Sequence, residues 1–306
     1  MDRLPAARGF VRRFIAGPAL EDALGVAARL NAEGLDAAVT HLGENVATTA
    51  DATRAADAYL EMLDEIARRR LRAVPSLKLT HLGLDLGESV CRANLERVAT
   101  RGLATRTLVW VDMESSAYTD RTLDLYRRLH ATHSNLACVV QAYLRRTAQD
   151  IERLIEVGAT VRLCKGAYRE PPEIAFPDKR EVDANYARSI DRLLAADALA
   201  RRVYPAFATH DERLLGRARE TAKARGVAAD RYELQMLYGI RYDLWAPLRA
   251  AGLRLRVLVP YGEDWYGYFM RRLAERPANL GFFLRQLVHR SGRDLTPRDA
   301  PTRLTR

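Results

Sequence analysis

Cysteine is scarce: Cys91, Cys138 and Cys164 are the only three in 306 residues, and no two form a CxxC pair. That excludes a disulfide framework and a cysteine-built zinc site, and points to a reducing compartment with small buried thiols. The six histidines are scattered and none falls in an HExxH arrangement, so no metal is expected. No apolar run approaches the ~20 residues that span a bilayer. The opening Met1-Asp2-Arg3-Leu4-Pro5 lacks the charged-then-apolar layout of a signal peptide. A cytoplasmic protein is expected, with any membrane contact peripheral and at the inner face. GxGxxG is missing throughout, which argues against a doubly wound dinucleotide-binding sheet. Lysine is nearly as rare as cysteine. Only Lys78, Lys165, Lys179 and Lys223 occur, so the net charge of +10 rests on arginine. The arginines are interleaved with acids, as in Arg217-Ala218-Arg219-Glu220. The densest run, Arg68-Arg69-Arg70, closes a predicted helix, where cations favour the C-terminal dipole. A nucleic-acid-binding face is therefore not expected.

What is present is a regular alternation. Residues 21–33 and 49–70 carry helical apolar periodicity. Short apolar runs at Leu35–His41, Leu71–Leu79, Arg106–Met113, Leu136–Tyr143, Ala159–Cys164, Val203–Thr209, Tyr232–Met236 and Leu255–Pro260 read as strands. Strands apolar on both faces, each followed by a helix, predict a parallel sheet covered on both sides. Eight such units in about 250 residues predict a closed barrel: a distorted (β/α)8 TIM-type fold with extra N-terminal helices. Neither a linker nor a repeat divides the chain, so residues 1–306 read as one domain. Residues 1–20 and 292–306 read as loosely attached ends.

In such a barrel, polar side chains at strand C-termini line the site. Lys78, Asp112 with Glu114 beyond it, Gln141, Arg162 with Lys165-Gly166-Ala167-Tyr168, and Thr209-His210-Asp211 all fall at predicted strand ends. Any one of them taken alone ordinarily points to solvent. Arg162 is harder to dismiss, because Val161 and Leu163 flank it and a buried charge there needs a partner. After the last strand, Tyr268, Arg271, Arg272 and Glu275 share one helix face, while Trp265, Phe269, Met270 and Leu273 form the packing face. Two adjacent arginines suit a small carboxylate, which guanidinium forks bind bidentately. A solvated face with an Arg271–Glu275 pair fits the same spacing.

At these residues the chain resembles the short monofunctional bacterial proline dehydrogenases, over roughly residues 36–290. The resemblance rests on Ser76-Leu-Lys78-Leu-Thr-His-Leu-Gly83, Val111-Asp112-Met113-Glu114 and Val140-Gln141-Ala-Tyr143. It continues through Val161-Arg162-Leu-Cys164-Lys165-Gly166-Ala167-Tyr168-Arg-Glu-Pro-Pro172, Ala208-Thr209-His210 and Glu233-Leu-Gln235-Met-Leu-Tyr238-Gly. It closes with Val259-Pro260-Tyr261-Gly262 and the helix from Tyr268 to Glu275. The resemblance implies FAD bound noncovalently over the barrel mouth and oxidation of L-proline to 1-pyrroline-5-carboxylate. It implies hydride transfer from ring C5 to flavin N5, with electrons passed to a membrane quinone. Carried over by position, Arg271, Arg272 and Lys78 would bind the substrate carboxylate, Asp112 would support Lys78 and the amine site, and Tyr268 and Glu275 would shape the pocket. Arg162 would lie near flavin N5 and Gln141 would contact the isoalloxazine. Met113, Cys164, Lys165, Gly166, Ala167, Thr209 and His210 would hold the rest of FAD.

Leu258 departs from the family pattern, which places tyrosine two residues before Pro260 against the substrate ring. That opens a second reading, oxidation of a substituted ring such as 4-hydroxyproline. His81, where glutamine is more usual, is a lesser departure. From another class, a Schiff-base aldolase barrel would use Lys165 or Lys78 as nucleophile, but leaves Arg162 and the arginine helix unexplained.

Overall fold

The computed structural model describes residues 13–274; of the last helix, the side chains at 269 and 271–274 are not described. After helix α1 (Leu20–Ala32), eight strands alternate with helices: β1 (Asp36–His41), α2 (Thr49–Arg68), β2 (Ala73–Leu77), α3 (Glu88–Ala104), β3 (Val109–Val111) and α4 (Ser116–His130). There follow β4 (Leu136–Gln141), α5 (Thr147–Glu156), β5 (Thr160–Cys164), α6 (Lys179–Leu193), α7 (Ala196–Ala200), β6 (Tyr204–Ala208) and α8 (Glu212–Ala224). The chain continues as β7 (Glu233–Leu237), α9 (Tyr242–Ala250), β8 (Leu255–Tyr261) and α10 (Trp265–Ala274). The strands form a closed parallel barrel in sequence order, the architecture read from the alternation. The seam is a long one, running from Asp36↔Arg256 to His41↔Tyr261.

Local chemistry sets the element ends. Thr48, Asp178 and Asp211 each accept a backbone N–H of the helix they precede, satisfying a donor that the helix cannot. Arg70 and Arg106 take left-handed backbone (φ 53° at both) between helix and strand. The strands that follow begin later than the apolar runs imply and end sooner. Lys78 and Asp112 consequently stand just beyond β2 and β3, in the connecting loops.

Two expectations are corrected. Residues 13–20 are not a loose end in their described part. Phe14 and Ile15 are buried with Leu42, Ile240 and Tyr268, and the Ala16 N–H donates to Pro260 O at 2.9 Å. The arginine run does more than complement a helix dipole. Helix α2 stops at Arg68, and Arg69 reaches back to Glu65 and across to Glu21 of α1, joining two helices. The expected loose end at 292–306 lies outside the described residues.

Beneath the mouth, the barrel interior is ionic. Arg256 donates to both Glu233 oxygens, at 2.8 and 2.9 Å, and to Ala37 O at 3.0 Å, with Asp36 at 3.4 Å. Arg254 and Arg72 hold Asp36 from the rim. Buried charge is tolerated only when paired in this way.

Candidate active site

A cavity of about 730 Å³ opens at the C-terminal ends of the strands, within the range of roughly 300–1,000 Å³ usual for ligand sites. Lys78, Asp112, Met113, Gln141, Arg162, Cys164, Lys165, Gly166, Ala167, Thr209, His210, Leu258 and Tyr268 all line it. Of the residues singled out in the sequence, Arg271 and Arg272 lie on α10 with undescribed side chains, and Glu275 lies outside the described residues.

Arg162 is the pivot. Its Nη1 donates to Asp112 Oδ1 at 2.7 Å and to Ser76 Oγ at 3.0 Å, and its guanidinium lies 4.3 Å over the Trp110 ring. The Ser76 hydroxyl donates in turn to Asp112 at 2.8 Å. Burial pushes the Arg162 pKa down and the Asp112 carboxylate opposes that shift. Its Nε and Nη2 are buried with no hydrogen-bond partner among the described residues. A fixed cation in the wall of a cavity, with two donors left unpaired in the protein, suits a site for a ligand that brings an acceptor.

The neighbouring partners differ from those implied by position. Lys78 is held by Glu44 of the β1–α2 loop, not by Asp112, whose carboxylate is taken by Arg162 and Ser76. Gln141 donates its Nε2 to Glu114 O at 2.8 Å, which fixes the amide at the rim of β4. The Glu114 carboxyl is buried, and burial raises its pKa; Thr80 donates to it through N–H at 3.1 Å and Oγ1 at 2.6 Å. Lys165 bridges Asp183 at 2.5 Å and Asp211 at 2.9 Å. Burial works to raise Asp211, but the Lys165 ammonium overcomes it and holds the carboxyl well below the ordinary range. His210 Nε2 accepts the Leu237 N–H at 3.0 Å, so the ring proton sits on Nδ1 when the ring is neutral. Gly166 has φ +126°, and a Cβ there would come within 2.2 Å of the Tyr143 ring. Backbone alone fits between that ring and the cavity.

Tyr268 is buried and packs with Phe14, Ile15, Leu42 and Ile240 while lining the cavity. Met270, expected on the packing face, is 44% exposed. The first turn of α10 is therefore seated by its tyrosine.

Ser76, Trp110, Glu44, Asp183 and Gln235 were not found from the sequence. Ser76 and Trp110 have ordinary strand neighbours, and Glu44 and Asp183 reach their partners only through loop and helix placement. Gln235 carried a usable signal, a polar side chain between Leu234 and Met236. Among the described residues, no cluster of three or more metal-ligating side chains occurs, and no helix is long and apolar enough to cross a membrane.

A family model described as proline dehydrogenase matches residues 23–285. The chain is 38% identical to proline dehydrogenase 1 of Bacillus subtilis over 278 residues, covering 90% of each. It is 34% identical to the proline dehydrogenase of Deinococcus radiodurans over 281 residues, covering 90% of this chain and 89% of that one. Among solved structures, proline utilization A from Bdellovibrio bacteriovorus inactivated by N-propargylglycine superposes with a TM-score of 0.82 at 25% identity. That match covers 90% of this chain and 33% of the larger protein.

Proposed function

The chain belongs to the proline dehydrogenase family, and from that membership we propose that it oxidises L-proline to 1-pyrroline-5-carboxylate with FAD held over the barrel mouth. The observation that carries the cofactor is Arg162, with two buried donors unpaired beside a cavity of suitable size. Gln141 would contact the FAD ring, and Met113, Cys164, Lys165, Gly166, Ala167, Thr209 and His210 would hold the rest of the cofactor. FAD supplies the hydride acceptor for ring C5 of the substrate.

The chain's own part is binding and orientation. Arg271 and Arg272, with Lys78, would grip the carboxylate, and Tyr268, Glu275 and Leu258 would bound the ring. Asp112 keeps Arg162 in place and paired, so that its free donors point at fixed positions. Proline gives up hydride only once its ring nitrogen is uncharged. Lys78 and Arg162 favour that state, because a like charge nearby disfavours a bound ammonium. Both strand-end lysines engage carboxylates as ammonium donors, whereas a Schiff-base nucleophile needs its lone pair. The aldolase reading is set aside on that ground.

We place the chain as a single catalytic domain, cytoplasmic and peripheral to the inner face of the membrane, where a quinone takes the electrons. Leu258 supports the second substrate reading, a ring substituted at C4. The test is direct. Purified protein should be yellow with flavin absorbance, and anaerobic proline should bleach it. Colourless protein, inactivated by borohydride together with a carbonyl substrate, would overturn the reading.

A further inference from the structure

Glu233 and Gln235 lie in a stretch of β7 that nothing above uses in binding. Side chains two apart on a strand share a face, and both of these face the barrel interior, Gln235 at the cavity and Glu233 beneath it. Burial works to raise the Glu233 carboxyl, but the Arg256 guanidinium, bonded to both its oxygens, holds it below the ordinary range. Glu233 is thus an anion that only accepts hydrogen bonds. Gln235 Nε2 donates to Glu233 Oε1 at 2.5 Å. Since a carboxylate has no proton to give, the amide meets it only by its NH2 side. The carbonyl oxygen of Gln235 is turned away and accepts no hydrogen bond from the described residues.

We propose that Gln235 contacts the molecule bound in the mouth cavity, its carbonyl oxygen accepting a hydrogen bond from a ligand N–H. Glu233 is the positioning residue that fixes the direction of the amide, and Arg256 in turn fixes Glu233. The inference rests on the reading of the site as one for FAD and an imino acid. These offer two sources of such a donor: the cyclic imide of the flavin ring and the ring nitrogen of the substrate.

The experiment uses the holoenzyme and the variant Gln235→Met, which keeps the volume and removes the acceptor. Flavin affinity is measured by reconstitution. The Kd values of proline and of its ring-oxygen analogue, tetrahydrofuran-2-carboxylate, come from flavin absorbance titrations. Loss of one such hydrogen bond is expected to weaken one ligand by about 3- to 10-fold. Weaker FAD binding with both small-ligand constants unchanged assigns the donor to flavin. Weaker proline binding with the oxygen analogue unchanged assigns it to the substrate. Glu233→Gln frees the amide to turn over, and should weaken the same ligand and spare the other. If Gln235→Met does not fold, as judged by circular dichroism, Gln235→Asn replaces it, since the shorter side chain withdraws the oxygen. Changes below twofold for both FAD and proline in a folded variant would overturn the proposal. A parent chain without flavin or proline oxidation would instead overturn the functional reading.

Discussion

A guanidinium buried inside a barrel needs its charge met on every side that protein covers, and Arg162 shows how the chain arranges this. One nitrogen is committed to Asp112 and Ser76, the Trp110 ring covers the face, and two buried nitrogens have no partner among the described residues. Its burial was legible, because a charge between Val161 and Leu163 has no ordinary reason to be there. Its partners were not, since Ser76 comes from β2 and Asp112 from the loop after β3. Leu258 is the residue on which we propose that substrate choice turns. It is half-buried in the cavity wall. Leu258→Tyr should raise the ratio of kcat/KM for proline over 4-hydroxyproline by about tenfold, the worth of one lost methylene-scale fit or hydroxyl contact. An unchanged ratio in steady-state kinetics would sink that assignment. His81 bears on stability. Burial first, then His41 and Lys78, push its pKa down to about 4. Between pH 6.5 and 4, the unfolded chain takes up a proton that the folded protein refuses, so stability falls as pH falls. The slope is about 1.4 kcal/mol per pH unit at most. His41 and His130 shift in the same direction and add to the slope of the parent protein. His81→Gln should flatten part of it, read as urea midpoints at pH 7.5 and 5; equal losses in parent and variant would refute the assignment.

Among the elements, the β5–α6 loop is the one whose sequence is most nearly dictated by its place. Lys165 is tied to α6 through Asp183 and to the start of α8 through Asp211. Glu170 takes the N–H and hydroxyl of Ser116, which pins the loop to the N-terminus of α4. Between these anchors Gly166 passes the Tyr143 ring with φ +126°. Gly166→Ala should displace the ring or the loop, at a strain of about 1–3 kcal/mol. Flavin bound per chain should drop by more than half while circular dichroism stays native. A fully flavinated variant would show that the close approach plays no part in holding the cofactor. Strand positions were legible element by element, because two-sided burial leaves apolar runs. Strand ends were not. The runs at Leu71–Leu79 and Arg106–Met113 continue past the ladder, and their final polar residues belong to loops.

For the molecule as a whole, closure is the step that creates the site, and Arg256 sits at the seam. It bonds Glu233 on β7 and Asp36 and Ala37 on β1, so one side chain links both neighbours of β8. Removing it leaves two carboxylates inside the barrel with less charge to meet them. Arg256→Met should destabilise the protein by about 3–5 kcal/mol in urea denaturation. Arg72→Ala, at an exposed partner of Asp36, should cost less than about 1 kcal/mol. Equal effects would mean that the ionic floor is not what holds the seam. The alternating pattern, the apolar strands and the strand-end polar residues by themselves determined a parallel (β/α)8 barrel with a basic mouth, since periodicity and local hydrophobicity are properties of neighbours along the chain. Which charge meets which was decided only in the tertiary structure. Lys78 with Glu44, Arg162 with Asp112, and Arg256 with Glu233 are contacts between strands and loops far apart in sequence. Such contacts depend on the register at which the barrel closes, and no short stretch of sequence carries that register.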